Sequence, residues 1–394
     1  MSTKLSTLSP EAPAAPKHLP YGRQSIDEDD IAAVVEVLRS DWLTTGPAVD
    51  RFESAVAAYT GARHAVAVSS GTAALHAAMY ALGVEPGDEV IVPPMTFAAT
   101  ANAVVYCGGT PVFADVLSGS LLLDPACVAA KITPRTRAIV PVDYAGQPCD
   151  YDELRELAGR HDLALVADAC HSIGATYRNR SVGTLADMTA FSFHPVKHIT
   201  TGEGGLVATD DDRLAARLRV FRNHGITTDH RQRSRQGAFF YEMVDLGFNY
   251  RITDFQCALG ASQLRKLPGW LQRRDEIARA YDQRFARIPG IRPLERLSGR
   301  SHAWHLYVVR IDPAVVRPFR ADVFTALRNA GIGANVHYIP VHLHPFYRKR
   351  FGYGEGLCPV AEKAYEQILS LPIYPGMTDG DVARVGDALE SAVC

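Results

Sequence analysis

The sequence predicts an α/β protein with a mostly parallel sheet in a large domain, followed by a smaller C-terminal α+β domain. Short apolar runs alternate with helical patterns from His64 to Ala208, which is typical of a sheet covered by helices on both faces. After about residue 265 a long polar helix precedes fewer strands. The 394 residues are enough for two domains, which we expect at 21–265 and 266–394 after a flexible leader at 1–20.

Two helices are expected before the first strand. Ser25 and Glu28 have capping-box spacing and are followed by apolar residues at helical spacing. A Gly/Pro loop then leads into a second helix at 49–60.

The alternating region supplies the sheet. Strands are predicted at 64–69, 89–92, 111–116, 138–142, 163–168, 189–193 and 205–208, with helices at 72–82, 98–106, 124–131 and 151–161. The smaller domain is expected to contain a helix at 269–285, a strand at 304–311, a helix at 320–330, a strand at 334–337 and two last helices. Ligands of parallel sheets bind at the carboxyl ends of the strands, so the residues that follow each strand are candidates for a site.

Composition excludes several classes of function. The net charge of −2 gives no electrostatic support for nucleic acid or an anionic membrane as a partner. No apolar run is long enough to cross a bilayer, and the first twenty residues lack the apolar core of a secretory signal. The seven cysteines include no Cys-x-x-Cys pair, so we expect reduced thiols in a cytoplasmic protein.

Asp168 and Lys197 are the first candidates for chemistry. Asp168 ends an apolar strand, where a carboxylate is costly to bury unless a cation meets it. Lys197 lies in a loop between Pro195 and a Thr-Thr-Gly turn, which suits a partly desolvated amine with a lowered pKa. Taken alone, the Asp would be a helix cap or an ion-pair partner and the Lys a solvated surface residue.

Together these two residues match the needs of pyridoxal phosphate. That cofactor requires a Lys to form a Schiff base and a carboxylate to keep the pyridine nitrogen protonated. A carboxylate about 4 Å from the nitrogen contributes roughly 4 kcal/mol at an effective dielectric near 20, or about three pKa units. That contribution keeps the ring cationic at pH 7, so that it acts as an electron sink.

Other residues would hold the phosphate and the ring. Ser70, Gly71 and Thr72 lie between a strand and a helix start, where backbone N–H groups bind a dianion, and Ser192 would add a hydroxyl. A plain capped helix explains the first three residues equally well. Phe97 would stack on one ring face, although an aromatic there is more often core, and His171 would cover the other face or reach the ring hydroxyl.

Four separated motifs resemble the DegT–StrS family of sugar aminotransferases. They are Ser69–Leu75, Asp168–Ala175, Phe191–Lys197 and Gly247–Arg251. The resemblance extends from Tyr21 over nearly the whole chain, and it implies the fold-type I aspartate-aminotransferase fold with pyridoxal 5'-phosphate on Lys197. It also implies L-glutamate as amino donor and a homodimer with shared active sites, in which Asn249 reaches the phosphate of the neighbouring subunit.

Two further segments resemble the members of the family that act in pseudaminic-acid synthesis. They are Val142–Gly146 and His198–Gly205. This similarity implies amination of C4 in a UDP-linked 4-keto-6-deoxy-N-acetylhexosamine. Relatives that act on GDP- or dTDP-linked sugars, at C4 or C3, share much of the pattern. Family members with His in place of the Lys are dehydratases, so Lys197 favours amino transfer.

A final set of residues is expected to bind the nucleotide-linked keto sugar. We place there Thr44, Tyr144, His198, Arg222, His337, Tyr338 and His342. A solvated loop is an equally good reading of Arg222. The histidines near residue 340 would need converging geometry to bind a metal, so no metal is expected.

Two other classes of protein stay open as alternatives. A regulatory protein would retain the fold and the cofactor without turnover, although the set of Lys197, Asp168 and Ser192 argues against it. A nicotinamide dehydrogenase lacks support, because no Gly-x-Gly-x-x-Gly follows the first strand.

Overall fold

A computed structural model describes residues 18–317 and 319–393 of the chain. The predicted leader therefore lies mostly outside the described residues. Its last part does not behave as a leader, because Leu19 is buried and pairs with Ile332 beside the C-terminal core. An apolar side chain that finds such a surface is held there by burial.

A seven-stranded sheet forms the centre of the molecule. Its strands are β1 (His64–Val68), β2 (Glu89–Val92), β3 (Thr110–Phe113), β4 (Thr136–Ile139), β5 (Ala164–Asp168), β8 (Met188–Ser192) and β9 (Gly205–Thr209), and a small hairpin of β6 (Thr176–Tyr177) and β7 (Arg180–Ser181) stands apart. The order is β1-β9-β8-β5-β4-β2-β3, with β9 antiparallel to both neighbours and all other pairs parallel. The predicted mostly parallel α/β sheet is confirmed.

Helices cover this sheet. They are α1 (Glu28–Leu38), α2 (Pro47–Thr60), α3 (Gly71–Leu82), α4 (Ala99–Tyr106), α5 (Pro125–Ala129), α6 (Tyr151–Arg160), α7 (Asp212–Phe221), α8 (His230–Gln236) and α9 (Asp254–Phe285). α3 is buried almost all round and packs against β8, β9, α4 and α7, as expected of an Ala-rich helix inside a layered core. The amino end of α3 therefore has a fixed position next to the ends of the strands.

The C-terminal part has its own sheet and core. β10 (Ile291–Pro293), β11 (Tyr307–Ile311) and β12 (Ile368–Leu371) form an antiparallel sheet, with α10 (Arg320–Asn329), α11 (Pro345–Phe351), α12 (Pro359–Gln367) and α13 (Asp379–Val393) around it. α9 contributes Leu264 and Leu267 to the core of the large sheet, and Ile277 and Tyr281 to the second core. The predicted domain boundary at 265/266 divides this shared helix, and it stays a prediction.

Two predicted helices were wrong in detail. α1 is capped by Asp27, whose carboxylate accepts the Asp30 N–H, and not by Ser25, whose carbonyl accepts from Gln263. The helix predicted at 269–285 begins fifteen residues earlier, at Asp254, and runs through Pro268. Its first half packs against α1 and α2, and that burial outweighs a proline penalty of about 3 kcal/mol.

The strand predicted at 334–337 is not a strand. Asn335 forms an isolated bridge with Ser370, and the adjacent chain turns toward the large sheet. β12, which the prediction missed, takes the place beside β11 instead. The segment 335–338 is thereby free to line a cavity.

Candidate active site

A cavity beside the sheet lies at the carboxyl ends of its strands. Its volume is about 580 Å³, which is ordinary for a small-molecule site. Its walls include ten residues that the sequence proposed: Ser70, Gly71, Thr72, Phe97, Asp168, His171, Ser192, Lys197, His337 and Tyr338. The chain thus brings the two reactive candidates and the expected phosphate donors into one space.

Asp168 is held at the end of β5 by two donors. The Thr100 hydroxyl, in the first turn of α4, donates to Oδ2 at 2.7 Å, and the backbone N–H of Cys170 donates to Oδ1 at 3.2 Å. The side chain is buried. A buried carboxylate with fixed oxygens is ready to meet a cationic ring nitrogen.

Lys197 lies across the same cavity from a loop that follows β8. Burial lowers the pKa of its amine, while the charges of Cys170 and Asp168 oppose that shift. Its Nζ is 3.4 Å from Nε2 of His305. A desolvated amine with a depressed pKa is the form that attacks an aldehyde.

The amino end of α3 forms an anion cradle. Ser70 caps the helix by accepting the Ala73 N–H at 3.1 Å. A Cβ at Gly71 would lie 2.7 Å from Cβ of Ser192, and a Cβ at Gly205 would overlap the Ser70 carbonyl. Only glycine allows β8, β9 and the helix start to meet this closely, which leaves backbone N–H groups and the Ser192 hydroxyl facing the cavity.

Aromatic rings line the remaining walls. Phe97 is 62% exposed within the chain although the core is well packed, and its ring centroid is 6.1 Å from that of Tyr338. The Tyr338 hydroxyl is 3.1 Å from Nε2 of His171. Burial, followed by the charge of Lys197, lowers the pKa of His171 well below its usual value, so this ring is neutral at pH 7.

The donor set fits pyridoxal phosphate. One cavity is bordered by a group for each part of the cofactor. These groups are an amine for the aldehyde, a carboxylate for the ring nitrogen, a helix amino end with a hydroxyl for the phosphate, and aromatic rings for the two ring faces. No group of three or more metal-ligating side chains occurs within 18–317 and 319–393.

Three predicted substrate residues are buried away from this cavity. Tyr144 donates its hydroxyl to the His337 carbonyl, His198 is 2.9 Å from the Ala303 carbonyl oxygen, and His342 is 2.7 Å from Glu362. His342 has no exposed surface and does not border this cavity, and its predicted contact with the sugar stays a prediction. A buried polar side chain needs a hydrogen-bond partner. Tyr144 and His198 find theirs in backbone carbonyls next to the site, and His342 finds its partner in a carboxylate.

Three other predicted residues lie outside the cavity wall. Thr44 is exposed and bridges to Thr253, and Asn249 is exposed and pairs with Asn223. Arg222 forms an ion pair with Glu53 and borders a separate small cleft with Thr45 and Arg251. Within one chain these residues do not meet Lys197.

The sequence prediction missed several cavity residues. They are Tyr21, Asn335, Glu203 and His305, with Thr100 behind Asp168. Thr96 and Thr100 share one face at i, i+4 spacing, and their hydroxyls are 2.7 Å apart; that spacing at a helix start was a usable signal. No signal in the sequence marks His305, which precedes β11 and reaches Lys197 across 108 residues.

Comparison with known proteins agrees with this geometry. The sequence model of the DegT/DnrJ/EryC1/StrS aminotransferase family matches residues 24–390. The spore coat polysaccharide biosynthesis protein SpsC of Bacillus subtilis is 46% identical over 378 residues, covering 95% of this chain and 97% of that protein. The family match therefore covers nearly all of the described residues.

Two solved structures show the same fold at similar identity. PseC of Helicobacter pylori, an aminotransferase involved in the biosynthesis of pseudoaminic acid, has a TM-score of 0.89 at 33% identity, covering 96% of this chain and 99% of that one. The sugar aminotransferase Spr1654 of Streptococcus pneumoniae, described as putative and solved in a PLP form, has a TM-score of 0.89 at 32% identity, with coverage of 95% and 98%. No described helix is long and apolar enough to span a membrane.

Proposed function

The chain belongs to the DegT/DnrJ/EryC1/StrS aminotransferase family and is a sugar aminotransferase that uses pyridoxal phosphate, and we propose that it transfers an amino group from L-glutamate to C4 of a UDP-linked 4-keto-6-deoxy-N-acetylhexosamine. The observation that carries the proposal is the shared cavity of Lys197, Asp168 and the amino end of α3. The similarity to PseC supports the choice of sugar.

The candidate residues of the cavity have proposed roles in the reaction. Bound pyridoxal phosphate supplies an aldehyde carbon for the amino group and a ring that stabilises negative charge. Lys197 holds the aldehyde in the resting enzyme and moves the proton when the amine is transferred. Asp168, fixed by Thr100, stabilises the proton on the ring nitrogen.

The phosphate and the ring faces are assigned in the same way. Ser70, Gly71, Thr72 and Ser192 bind the phosphate through N–H and O–H groups. Phe97 and His171 contact the two faces of the ring. His337 and Tyr338, from the C-terminal part of the chain, contact the sugar. Closing these walls around the substrate excludes water from the reacting atoms.

Among the described residues, the cavity has no Arg or Lys besides Lys197 that could pair with the carboxylates of glutamate or the diphosphate of the sugar nucleotide. Such groups are normally met by Arg or Lys. We infer that a second copy of the chain completes the site.

An exposed apolar segment fits this homodimer. Within 239–248, Phe239 is 92% exposed, Leu246 71% and Met243 66%, which is unusual for a surface that stays in water. Asn249 and Arg251 follow immediately and would then face the partner's phosphate site. The Asn249 role predicted from the family resemblance is retained in this form.

Sedimentation equilibrium tests the dimer. The wild-type protein is expected to sediment as a dimer, and a Phe239→Asp, Leu246→Asp double variant as a monomer with weakened cofactor binding. The exposed Phe346→Asp on α11 is the matched control and should leave the dimer intact. A wild-type monomer with full activity would refute the shared site.

A panel of nucleotide sugars tests the substrate. UDP-, GDP- and dTDP-linked 4-amino and 3-amino sugars are run in reverse with 2-oxoglutarate, with Lys197→Ala as the inactive control. The proposal expects glutamate from the UDP-linked 4-amino-4,6-dideoxy-N-acetylhexosamine at a kcat/KM at least tenfold above the others. Preference for a GDP- or dTDP-linked sugar, or for the 3-amino isomers, overturns the substrate. No reaction with any sugar, and no change in cofactor absorbance on adding glutamate, would favour a regulatory protein.

A further inference from the structure

His305 faces the reactive amine more directly than any residue that the sequence singled out. Its Nε2 is 3.4 Å from Nζ of Lys197, and the side chain is buried. The residue comes from the loop before β11, so the second core supplies it to a cavity built on the first. This arrangement places an imidazole nitrogen against the amine.

The loop that carries His305 is clamped on both sides. The Ala303 N–H donates to the Gly146 carbonyl at 2.8 Å, and the Leu306 N–H donates to the Ala145 carbonyl at 3.1 Å. A Cβ at Gly146 would lie 3.0 Å from the His305 nitrogen. His198 holds the same loop from the other side through the Ala303 carbonyl at 2.9 Å. Three hydrogen bonds of the neighbouring residues therefore fix the backbone around His305.

A tilted ring contact with His171 restricts the plane of the His305 ring. The centroids of His305 and His171 are 4.3 Å apart at an interplanar angle of 36°. His171 is in turn held by the Tyr338 hydroxyl. Rotation of the His305 ring would break this contact, so Nε2 keeps its direction toward Lys197.

Charge decides which partner donates. Burial and the nearby charge of Lys197 lower the pKa of His305 well below its usual value, so the ring is neutral at pH 7. A lysine ammonium has three donors and no acceptor. When Lys197 carries its proton, the neutral Nε2 of His305 therefore accepts from Nζ. The other titratable groups around Lys197 are Asp168, Cys170, His171, His198 and His337.

We propose that His305 is a positioning residue, whose Nε2 accepts a hydrogen bond from Lys197 and aims the amine at the cofactor aldehyde. The inference rests on the proposed role of Lys197. The hydrogen bond replaces the water that would otherwise solvate the amine, and it leaves one N–H direction fixed while the others face the cavity. Amine and aldehyde then meet in a restricted range of orientations.

The test uses three variants in the protein without cofactor. His305→Phe keeps the ring shape and removes the nitrogens, His305→Gln keeps an acceptor near Nε2, and His305→Asn is too short to do so. The pKa of Lys197 is measured from the pH dependence of reductive methylation, by peptide mass spectrometry. Lys349, exposed on α11, is the internal control.

Loss of the acceptor should destabilise the ammonium. The pKa of Lys197 is expected to fall by about 1 in His305→Phe and His305→Asn, and to stay near the wild-type value in His305→Gln. Uptake of pyridoxal phosphate is followed by absorbance and compared at pH values that give the same deprotonated fraction of Lys197. On that basis it should slow by roughly tenfold in the first two variants and recover in the third. If the Phe variant does not fold, the Asn and Gln pair decides.

Two results separate this inference from the proposed function. An unchanged Lys197 pKa in folded His305→Phe or His305→Asn overturns the role of His305, even if the wild-type enzyme is active. Equal effects of Asn and Gln also overturn it, because a merely structural role does not depend on where the acceptor lies. Wild-type protein that takes up no cofactor overturns the proposed role of Lys197 instead.

Discussion

At the scale of single residues, the site depends on one carboxylate, Asp168, and one amine, Lys197. The residues that contact them through hydrogen bonds are distant in sequence. Asp168 and Lys197 could be predicted because each stands in a local pattern, a strand end and a Gly-rich loop. Thr100 and His305 could not be paired with them from the sequence, because those contacts span 68 and 108 residues. Local patterns thus identify reactive groups, whereas tertiary contacts determine which residues orient them.

Thr100→Val tests the support of Asp168. The change keeps the shape and removes a 2.7 Å hydrogen bond to the carboxylate. Such a bond to a charged group is worth about 1.5 kcal/mol, so kcat/KM should fall about tenfold. The measurement is steady-state transamination. Thr325→Val, which removes a bond within exposed α10, is the control, and equal activity of the two variants would contradict the role of Thr100.

At the scale of elements, the strands of the large sheet could be predicted because parallel strands are buried on both faces and read as apolar runs. β1, β2 and β5 fall within the predicted ranges. The errors lie where tertiary packing overrides local preference, as at Pro268 in α9 and at Asn335, which pairs with Ser370 in place of forming a strand. Tertiary packing also determines the short distance between the backbones of β9 and the amino end of α3.

Gly205→Ala tests that meeting. The added Cβ would overlap the Ser70 carbonyl and lie 2.7 Å from the Gly71 nitrogen, both of them backbone atoms that cannot rotate away. Overpacking of this kind costs about 1–3 kcal/mol. We expect the Kd for pyridoxal phosphate to rise roughly 10- to 100-fold, measured by fluorescence titration.

Gly269→Ala is the matched control for this change. Gly269 lies inside α9 with no atom within 4 Å of an added Cβ. Its replacement should leave cofactor binding unchanged and raise stability by up to about 1 kcal/mol. If Gly205→Ala bound cofactor as tightly as this control, the phosphate cradle would be located elsewhere.

At the scale of the whole molecule, two hydrophobic cores share α9 and meet at the cavity. The change of sequence pattern near residue 265 predicted two domains but did not determine where one ends and the other begins. The fold buries several histidines. Burial lowers the pKa of His76 and of His337 to about 4, and it lowers those of His171, His198 and His305 well below their usual value. The folded state thus binds fewer protons than the unfolded state below about pH 6.5.

Acid should therefore destabilise the protein. A histidine whose pKa is lower in the folded state than in the unfolded state stabilises the fold at pH values above its unfolded pKa. That stability is lost as the pH falls below the unfolded pKa toward the folded one. Lowering the pH from 7.5 to 5 costs about 2 kcal/mol for each of His76 and His337. Asp143 acts in the opposite direction, because burial raises its pKa to about 6, and it returns only about 1.4 kcal/mol over that range.

The histidines outweigh the single aspartate. Urea unfolding of the protein without cofactor should give a free energy at least about 3 kcal/mol lower at pH 5 than at pH 7.5. Equal or greater stability at pH 5 would mean that these rings are charged in the folded state. A neutral His171 and a neutral His305 would then no longer be part of the site.

The central claim is that Lys197 holds the cofactor opposite Asp168. Borohydride reduction of the protein loaded with pyridoxal phosphate, followed by peptide mass spectrometry, measures this directly. The account predicts a phosphopyridoxyl group on the peptide that contains Lys197, and loss of that label in Lys197→Ala. A label on another lysine, or no label on a protein that carries stoichiometric cofactor, would contradict it.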